Sequence, residues 1–596
     1  MAAGGSTGIN LALIFLIKRY NLKRRYILRK GLITMKKFIF IILLSLVLGS
    51  VAIACTSILV TKGASNDGSV IVTHEADGEL GDPRFIYVPA ADHKPGSKRA
   101  VYPYHLYFPR YVGTDRGPGY DIKGYPQSKP VGYIPQVEHT YAYVDSIFGI
   151  MNEHQLQIGE VTTGAKLEPE ASAKRLFYST ELSRVALERC KTAKEAVELM
   201  GQLIDDYGYY GTGESLLVAD TQEGWIFEMG GTPDGQPDLW VARKVPDGKV
   251  YVTANEYRIR EIKKNNPDMI YSKNLFKTTK ALGWWNPKDG EFDWLRAVGI
   301  GEYNHPYYSL RRVWRAMDRI NPDLKLSPWV KDGYTKDYPF AITPKTKLTL
   351  QNVMSLHNDH YEGTEFDLTK GTAAGPFGNP NRYFGPYDGA QNNAVRGQKT
   401  SGAWERAISA DYCTYVKIGV SRDWLPDPIG GMVWIGFDRP DTTVYVPFYI
   451  GVNDLPVSYR NGSPFKYDRK FMWWAFDFVS NWADLKYSYM IKDINAKQKE
   501  IQDKEFADVA KIDQKALKLY KIWPRLARYY LTRYSTKNAN WVQKEWCNLA
   551  DTLIAKYSQG YMVVSDKVTE VGYPKAWLDK TNYADGPVRY EKPKKK

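Results

Sequence analysis

The chain is predicted to be an α+β protein. Two β-type runs, 56–62 and 69–74, flank Gly63-Ala64-Ser65-Asn66-Asp67-Gly68, whose Asn-Asp-Gly is hairpin chemistry. Further strand-like runs lie around 146–150, 157–162, 215–219, 225–229 and 250–253, and helical spacing covers 179–203 and 310–320. Hairpin strands with helices between them indicate α+β rather than a βαβ series.

Each segment has its own reason. The first hairpin opens at Cys55 and returns through His74 toward Asp77. Residues 82–140 are rich in Pro, Gly and Tyr with little periodicity, which reads as long surface loops beside a substrate cleft. In 179–203 the residues Leu182, Val185, Ala186, Arg189 and Val197 recur at helical spacing. After Pro447 the character changes. From 469 to 530 Val479, Trp482, Leu485, Tyr489, Ile494 and Ile501 recur at helical spacing between charges, predicting a helical C-terminal extension that buries its stripe on the rest of the protein. The expected organisation is an over-extended start (1–34), a signal peptide (35–54), a catalytic domain (55–460) and a mostly helical extension with a basic tail (461–596).

Composition is that of a globular protein, with 43% hydrophobic and 25% charged residues. The net charge of +15 suggests a nucleic-acid or membrane partner until it is located. Residues 1–54 hold nine Lys or Arg and no acid, so the chain after residue 54 carries about +6, much of it in Lys592, Lys594, Lys595 and Lys596. A nucleic-acid role therefore has little support. No segment after residue 54 is apolar enough to span a bilayer.

Met35-Lys36-Lys37 begins a signal-like segment whose apolar run, 38–49, ends near Ala52-Ile53-Ala54. Cleavage after this small-x-small end would expose Cys55, with thiol and free α-amine on one residue, and the protein would be periplasmic or secreted. A cysteine at such a site is also where lipoproteins are acylated, and Ala-x-Ala favours ordinary cleavage. The cysteines 55, 190, 413 and 547 form no CxxC and no metal-ligand spacing, so no cofactor is expected.

The run CTSILVTKGASNDGSVIVTHEAD, 55–77, resembles the mature start of peptidase family C69 dipeptidases, relatives of penicillin V acylase and bile salt hydrolase. The resemblance continues through MNEHQLQIGEVTT (151–163), YGTGESLLVADTQEGWIFEM (210–229), VTANEYRIRE (252–261), YYSLRRVWR (307–315), HYEGTEFDLTKG (360–371) and the block 404–449. It implies an αββα N-terminal-nucleophile hydrolase sandwich acting on dipeptides.

The resemblance also implies roles. Cys55 attacks the scissile carbonyl and its α-amine carries the proton; an amine near pH ~8 and a thiol near ~8.5 are close enough for that transfer. Asp77 orients the α-amine or the substrate amine, and Asn255, with a backbone N–H near Thr162, faces the oxyanion. Arg312 matches an active-site arginine, with Arg311 beside it leaving the register open. Relatives often carry Arg where this chain has His74, whose role is open. Recognition of a dipeptide's two ends needs a carboxylate for the amine, from Asp77, Glu160 or Glu214, and Arg311 or Arg312 for the carboxylate. An N-acyl amide hydrolase and a lipid-anchored binding protein are the competing readings, and a homo-oligomer stays open.

Overall fold

In a computed structural model, residues 55–78, 81–105, 116–121, 127–302, 308–383 and 404–581 are described. The expected leader segments 1–34 and 35–54 and the lysine tail lie outside them. Cys55 begins the first strand, β1 (Cys55–Val60), which turns through Lys62–Ala64 and Gly68 into β2 (Val70–Asp77). Gly68 adopts φ +82°, a conformation that a side chain would strain, and Asp67 Oδ1 accepts the Ser69 N–H at 3.0 Å.

Two large antiparallel sheets follow. Label β3 (Gln157–Thr163), β4 (Gly213–Ala219), β5 (Val250–Thr253) and β6 (Cys413–Ser421). The seven-stranded sheet runs Ala341–Ile342, β5, β1, β2, β6, Met432–Phe437, Val446–Tyr449. The eight-stranded sheet has β3 and β4 as neighbours near its middle, with Glu160 opposite Leu216. The sheets meet face to face at close range: Ser57 Oγ donates to Glu160 O at 2.9 Å, and a Cβ on Gly159 would lie 2.6 Å from Thr73 O. A glycine beside Glu160 thus lets the sheets approach.

Helices cover the outer faces. On the eight-stranded sheet lie α1 (Ser179–Arg189) and α2 (Ala193–Tyr207), where Asn152 Nδ2 donates to Leu187 O at 2.9 Å. On the other sheet α3 (Leu310–Ile320) and α4 (Leu350–His357) bring Arg312 and His357 against β1 and β2. Three C-terminal helices, α5 (Met472–Ala483), α6 (Tyr487–Ile522) and α7 (Pro524–Lys556), complete that side, with Phe506 stacked on Trp434 at 4.9 Å.

Several expectations need correction. The helical stretch 179–203 is two helices, because Thr192 and Glu195 form a reciprocal capping box that starts α2 afresh. The strand expected at 146–150 is instead mostly a turn between Tyr143–Asp145 and Gly149–Asn152. Its apolar residues Ile147 and Phe148 mimic a strand, but Arg184 fastens the turn through the carbonyls of Ser146 and Ile147. Residues 82–140 are not all loops, since Ile86–Val88 joins the eight-stranded sheet and Lys98–Val101 pairs with Gly132–Pro135. In the C-terminal stripe Val479, Ile494 and Ile501 are buried, whereas Leu485 is exposed in the break between α5 and α6.

Candidate active site

Strand alternation decides which side chains meet. Cys55 pairs with Ala76 and Thr56 with Glu75 across β1 and β2, and residues directly opposite share a face. Cys55 therefore faces the second sheet together with His74, while Thr56, Glu75 and Asp77 face α3 and α4.

Between the sheets, Cys55 Sγ lies 3.6 Å from Glu160 Oε2, and His74 Nε2 lies 3.2 Å from the same oxygen. Thr162 Oγ1 bridges Glu160 Oε1 at 3.0 Å and Glu214 Oε1 at 3.4 Å, and Tyr178 donates its hydroxyl to Glu214. Two carboxyls this close cannot both ionise in a dry site. Burial and then the charge of Glu160 push Glu214 well up, so it keeps its proton. Burial also opposes ionisation of Glu160, but the adjoining Glu214 carboxyl and His74 ring outweigh it and hold Glu160 low. Burial lowers His74 despite the favourable Glu160 charge. Burial, then Glu160 and Asp77, raise the Cys55 thiol well above its ordinary value, against a backbone hydrogen bond from Asp77.

On the other face the backbone of Cys55 is clamped. Asn255 follows β5 with φ +58°, a left-handed conformation that Asn tolerates better than most residues. Its Oδ1 accepts Cys55 N at 3.0 Å and Arg312 Nη2 at 2.7 Å, while its Nδ2 donates to Thr162 O at 2.7 Å. A donor on one side and a carbonyl on the other set the amide orientation. Arg312 Nη1 also donates to Cys55 O at 2.7 Å and Thr56 Oγ1 at 3.0 Å, and its Nε to Tyr308 O at 2.9 Å.

Not every residue singled out from the sequence reaches Cys55. Arg311, one position round α3, instead holds Glu405 at 3.2 Å and lies over Phe366, 3.7 Å from the ring centroid. Asp77 presents its backbone to the sulfur but turns its carboxylate to Arg406.

Other residues in the constellation were missed. Glu75 is pushed up to about 8 by burial and lies 3.2 Å from His357 Nδ1. Arg406 sits inside the quoted block 404–449, yet a lone arginine there carries no spacing signal. Lys417, opposite His74 in the strand pair, is buried and donates from Nζ to Ile158 O at 2.7 Å. Burial alone lowers it to about 7. A lysine within the apolar strand Tyr-Val-Lys-Ile-Gly-Val was its available signal.

Cys55, His74 and Glu160 form one group of atoms within 4.8 Å that could hold a metal ion, and Glu75, Asp77 and Cys413 form another. The sequence spacing predicted neither, because each set is assembled across strands.

The model of peptidase family C69 matches residues 54–500. The chain belongs to peptidase family C69. It is thus a hydrolase of peptide bonds. Among similar proteins, one of Latilactobacillus sakei named "Probable dipeptidase" is 26% identical over 423 residues, 68% of this chain and 76% of its own. One of Salmonella dublin with the same name is 26% identical over 432 residues, 70% of this chain and 86% of its own. A "Dipeptidase" of Bifidobacterium longum is 22% identical over 452 residues, 70% of this chain and 75% of its own.

Proposed function

We propose that this C69 peptidase is an exported cysteine dipeptidase of the N-terminal-nucleophile type, built as an αββα sandwich with a helical C-terminal extension. Cleavage after Ala54 makes Cys55 the first residue. The observation that carries the reading is the double hold on Cys55, with its nitrogen on Asn255 Oδ1 at 3.0 Å and its sulfur 3.6 Å from Glu160. The dipeptidase names of the relatives supply the substrate class.

While Cys55 N is part of a peptide bond it cannot take a proton, and the buried, acid-ringed thiol stays protonated and inert. Cleavage turns that nitrogen into an amine beside the sulfur. The amine then accepts the thiol proton as sulfur attacks the scissile carbonyl carbon. The tetrahedral intermediate collapses, the C–N bond breaks and the same proton passes to the leaving amine. Water, deprotonated by the α-amine, hydrolyses the thioester and restores the thiol. Asn255 and Arg312 keep nitrogen and carbonyl of Cys55 fixed through these steps. Arg312 already has four partner atoms within the protein, so it serves as a positioning residue rather than a receptor for the substrate carboxylate.

The Glu160–Glu214 pair holds one negative charge beside the nucleophile, under Tyr178 and Tyr104, whose rings lie 4.4 Å apart. That charge suits the free ammonium of an unblocked dipeptide. The test joins the mass of the mature N-terminal peptide to a substrate panel. Mature chain beginning at unmodified Cys55 and hydrolysing free dipeptides faster than their N-acetyl forms is expected. A diacylglyceryl group on Cys55, or faster cleavage of acyl amides than of any free dipeptide, would refute it.

A further inference from the structure

The distal end of the α6–α7 hairpin is unlike the rest of the C-terminal helices. A single residue, Trp523, joins two helices of 36 and 33 residues, and Pro524 starts the second where its missing N–H costs no helical bond. At this apex Ile522 is 76% exposed and Trp523 56% exposed. Residues 514–533 contain Lys515, Lys518, Lys521, Arg525, Arg528 and Arg533 and no Asp or Glu. Nearer the body the hairpin is firmly held, with Asp513 on Arg422 at 2.6 Å and Arg528 on Glu153 at 3.0 Å. Between those two anchors no hydrogen bond or ion pair to the rest of the protein is found among the described residues. The family match ends at residue 500, so this apex lies beyond the segment matched to the peptidase family.

We infer that the apex is a docking site for an anionic lipid surface. An exposed aliphatic–tryptophan pair costs solubility unless something apolar receives it, and tryptophan suits the boundary between headgroups and acyl chains. Lys518 and Lys521 on one helix and Arg525 on the other flank that pair and match phosphate headgroups, while their aliphatic stems can lie along the apolar surface. The four like charges between the anchors, Lys515, Lys518, Lys521 and Arg525, disfavour apex-to-apex pairing of two chains. No helix among the described residues is long and apolar enough to cross a membrane, so the contact is peripheral and reversible.

Cosedimentation of the full chain with vesicles of phosphatidylcholine alone, or mixed with phosphatidylglycerol, tests this at low and high salt. Binding to the mixed vesicles at low salt, weakened by high salt, is expected. Replacing Lys518, Lys521 and Arg525 together by Gln should lower partitioning by about fivefold for each charge, roughly a hundredfold in all. Ile522→Ser with Trp523→Ser should weaken binding further, while both variants retain parental peptidase turnover in solution, which also reports that they fold. Equal binding to both vesicle types, binding to neither, or indifference to both variants would overturn the inference. So would a dimer dissolved by Trp523→Ser, or retention on DNA without binding to lipid.

Discussion

Arg312 Nη1 donates to the carbonyl oxygen of Cys55 at 2.7 Å, a contact spanning 257 positions in the chain. The same guanidinium reaches Thr56 Oγ1 and Asn255 Oδ1, so one side chain fixes both the first strand and the amide that holds Cys55 N. Arg312→Lys replaces a planar fork by a point charge that cannot serve all of these partners. Its kcat should fall by about a hundredfold, the scale of a small misplacement of reacting groups, with KM little changed. Arg312→Ala leaves the buried Cys55 carbonyl without its side-chain donor and should cost about 1–3 kcal/mol in denaturant unfolding. Wild-type kcat in Arg312→Lys would remove the positioning role.

Cys55→Ala should abolish hydrolysis and leave the thermal midpoint close to the parent, because it removes one sulfur from a strand that stays paired on both sides. Cys55→Ser should keep a trace, since a hydroxyl is the poorer nucleophile. Thiol alkylation should inactivate the mature enzyme and chelators should leave it active. Loss of activity on chelation would instead mean that the Cys55, His74 and Glu160 group holds a working metal.

Glu160 and Glu214 should respond differently to the same substitution. Glu214 keeps its proton, so Glu214→Gln imitates its working state and should cost only severalfold in kcat/KM. Glu160 is held ionised, and Glu160→Gln removes the charge proposed to meet the substrate ammonium. A loss of about a hundredfold on free dipeptides is expected, on the scale of a charged hydrogen bond, with a much smaller loss on N-acetyl dipeptides. Equal losses for both variants on both substrates would end the assignment.

Glu505 makes a pH prediction far from the site. It is buried between α6 and α7, accepts Asn538 Nδ2 at 2.8 Å, and burial pushes it from 4.5 up to about 8. Below pH 4.5 the folded and unfolded chains both hold the proton and the burial costs nothing. As pH rises toward 8 the unfolded chain releases it while the folded chain keeps it, so this residue's contribution to stability falls across that window. The ceiling is on the order of 5 kcal/mol. Glu505→Gln should therefore match the parent near pH 4.5 and exceed it increasingly up to pH 8 in thermal unfolding. Parallel curves would contradict this.

The sequence by itself determined what is local or linear. Asn66-Asp67-Gly68 announces the hairpin, period-2 alternation puts Asp77 one strand beyond Cys55, helical spacing announces 310–320, and the ordered blocks from 55 to 449 announce the family. These signals arise from backbone sterics and hydrogen bonds between near neighbours, which a few residues encode. Only the tertiary structure decided which side chains share a site. Arg311 and Arg312 are indistinguishable in sequence, yet 100° of helical turn sends one to Glu405 and the other to Cys55. Glu160 meets the sulfur from 105 positions away because two sheets pack at a glycine, and Arg406 takes the Asp77 carboxylate from 329 positions away. Such pairings are set by how closely whole layers approach and by which buried charges must be matched there, and no short stretch of chain carries that information.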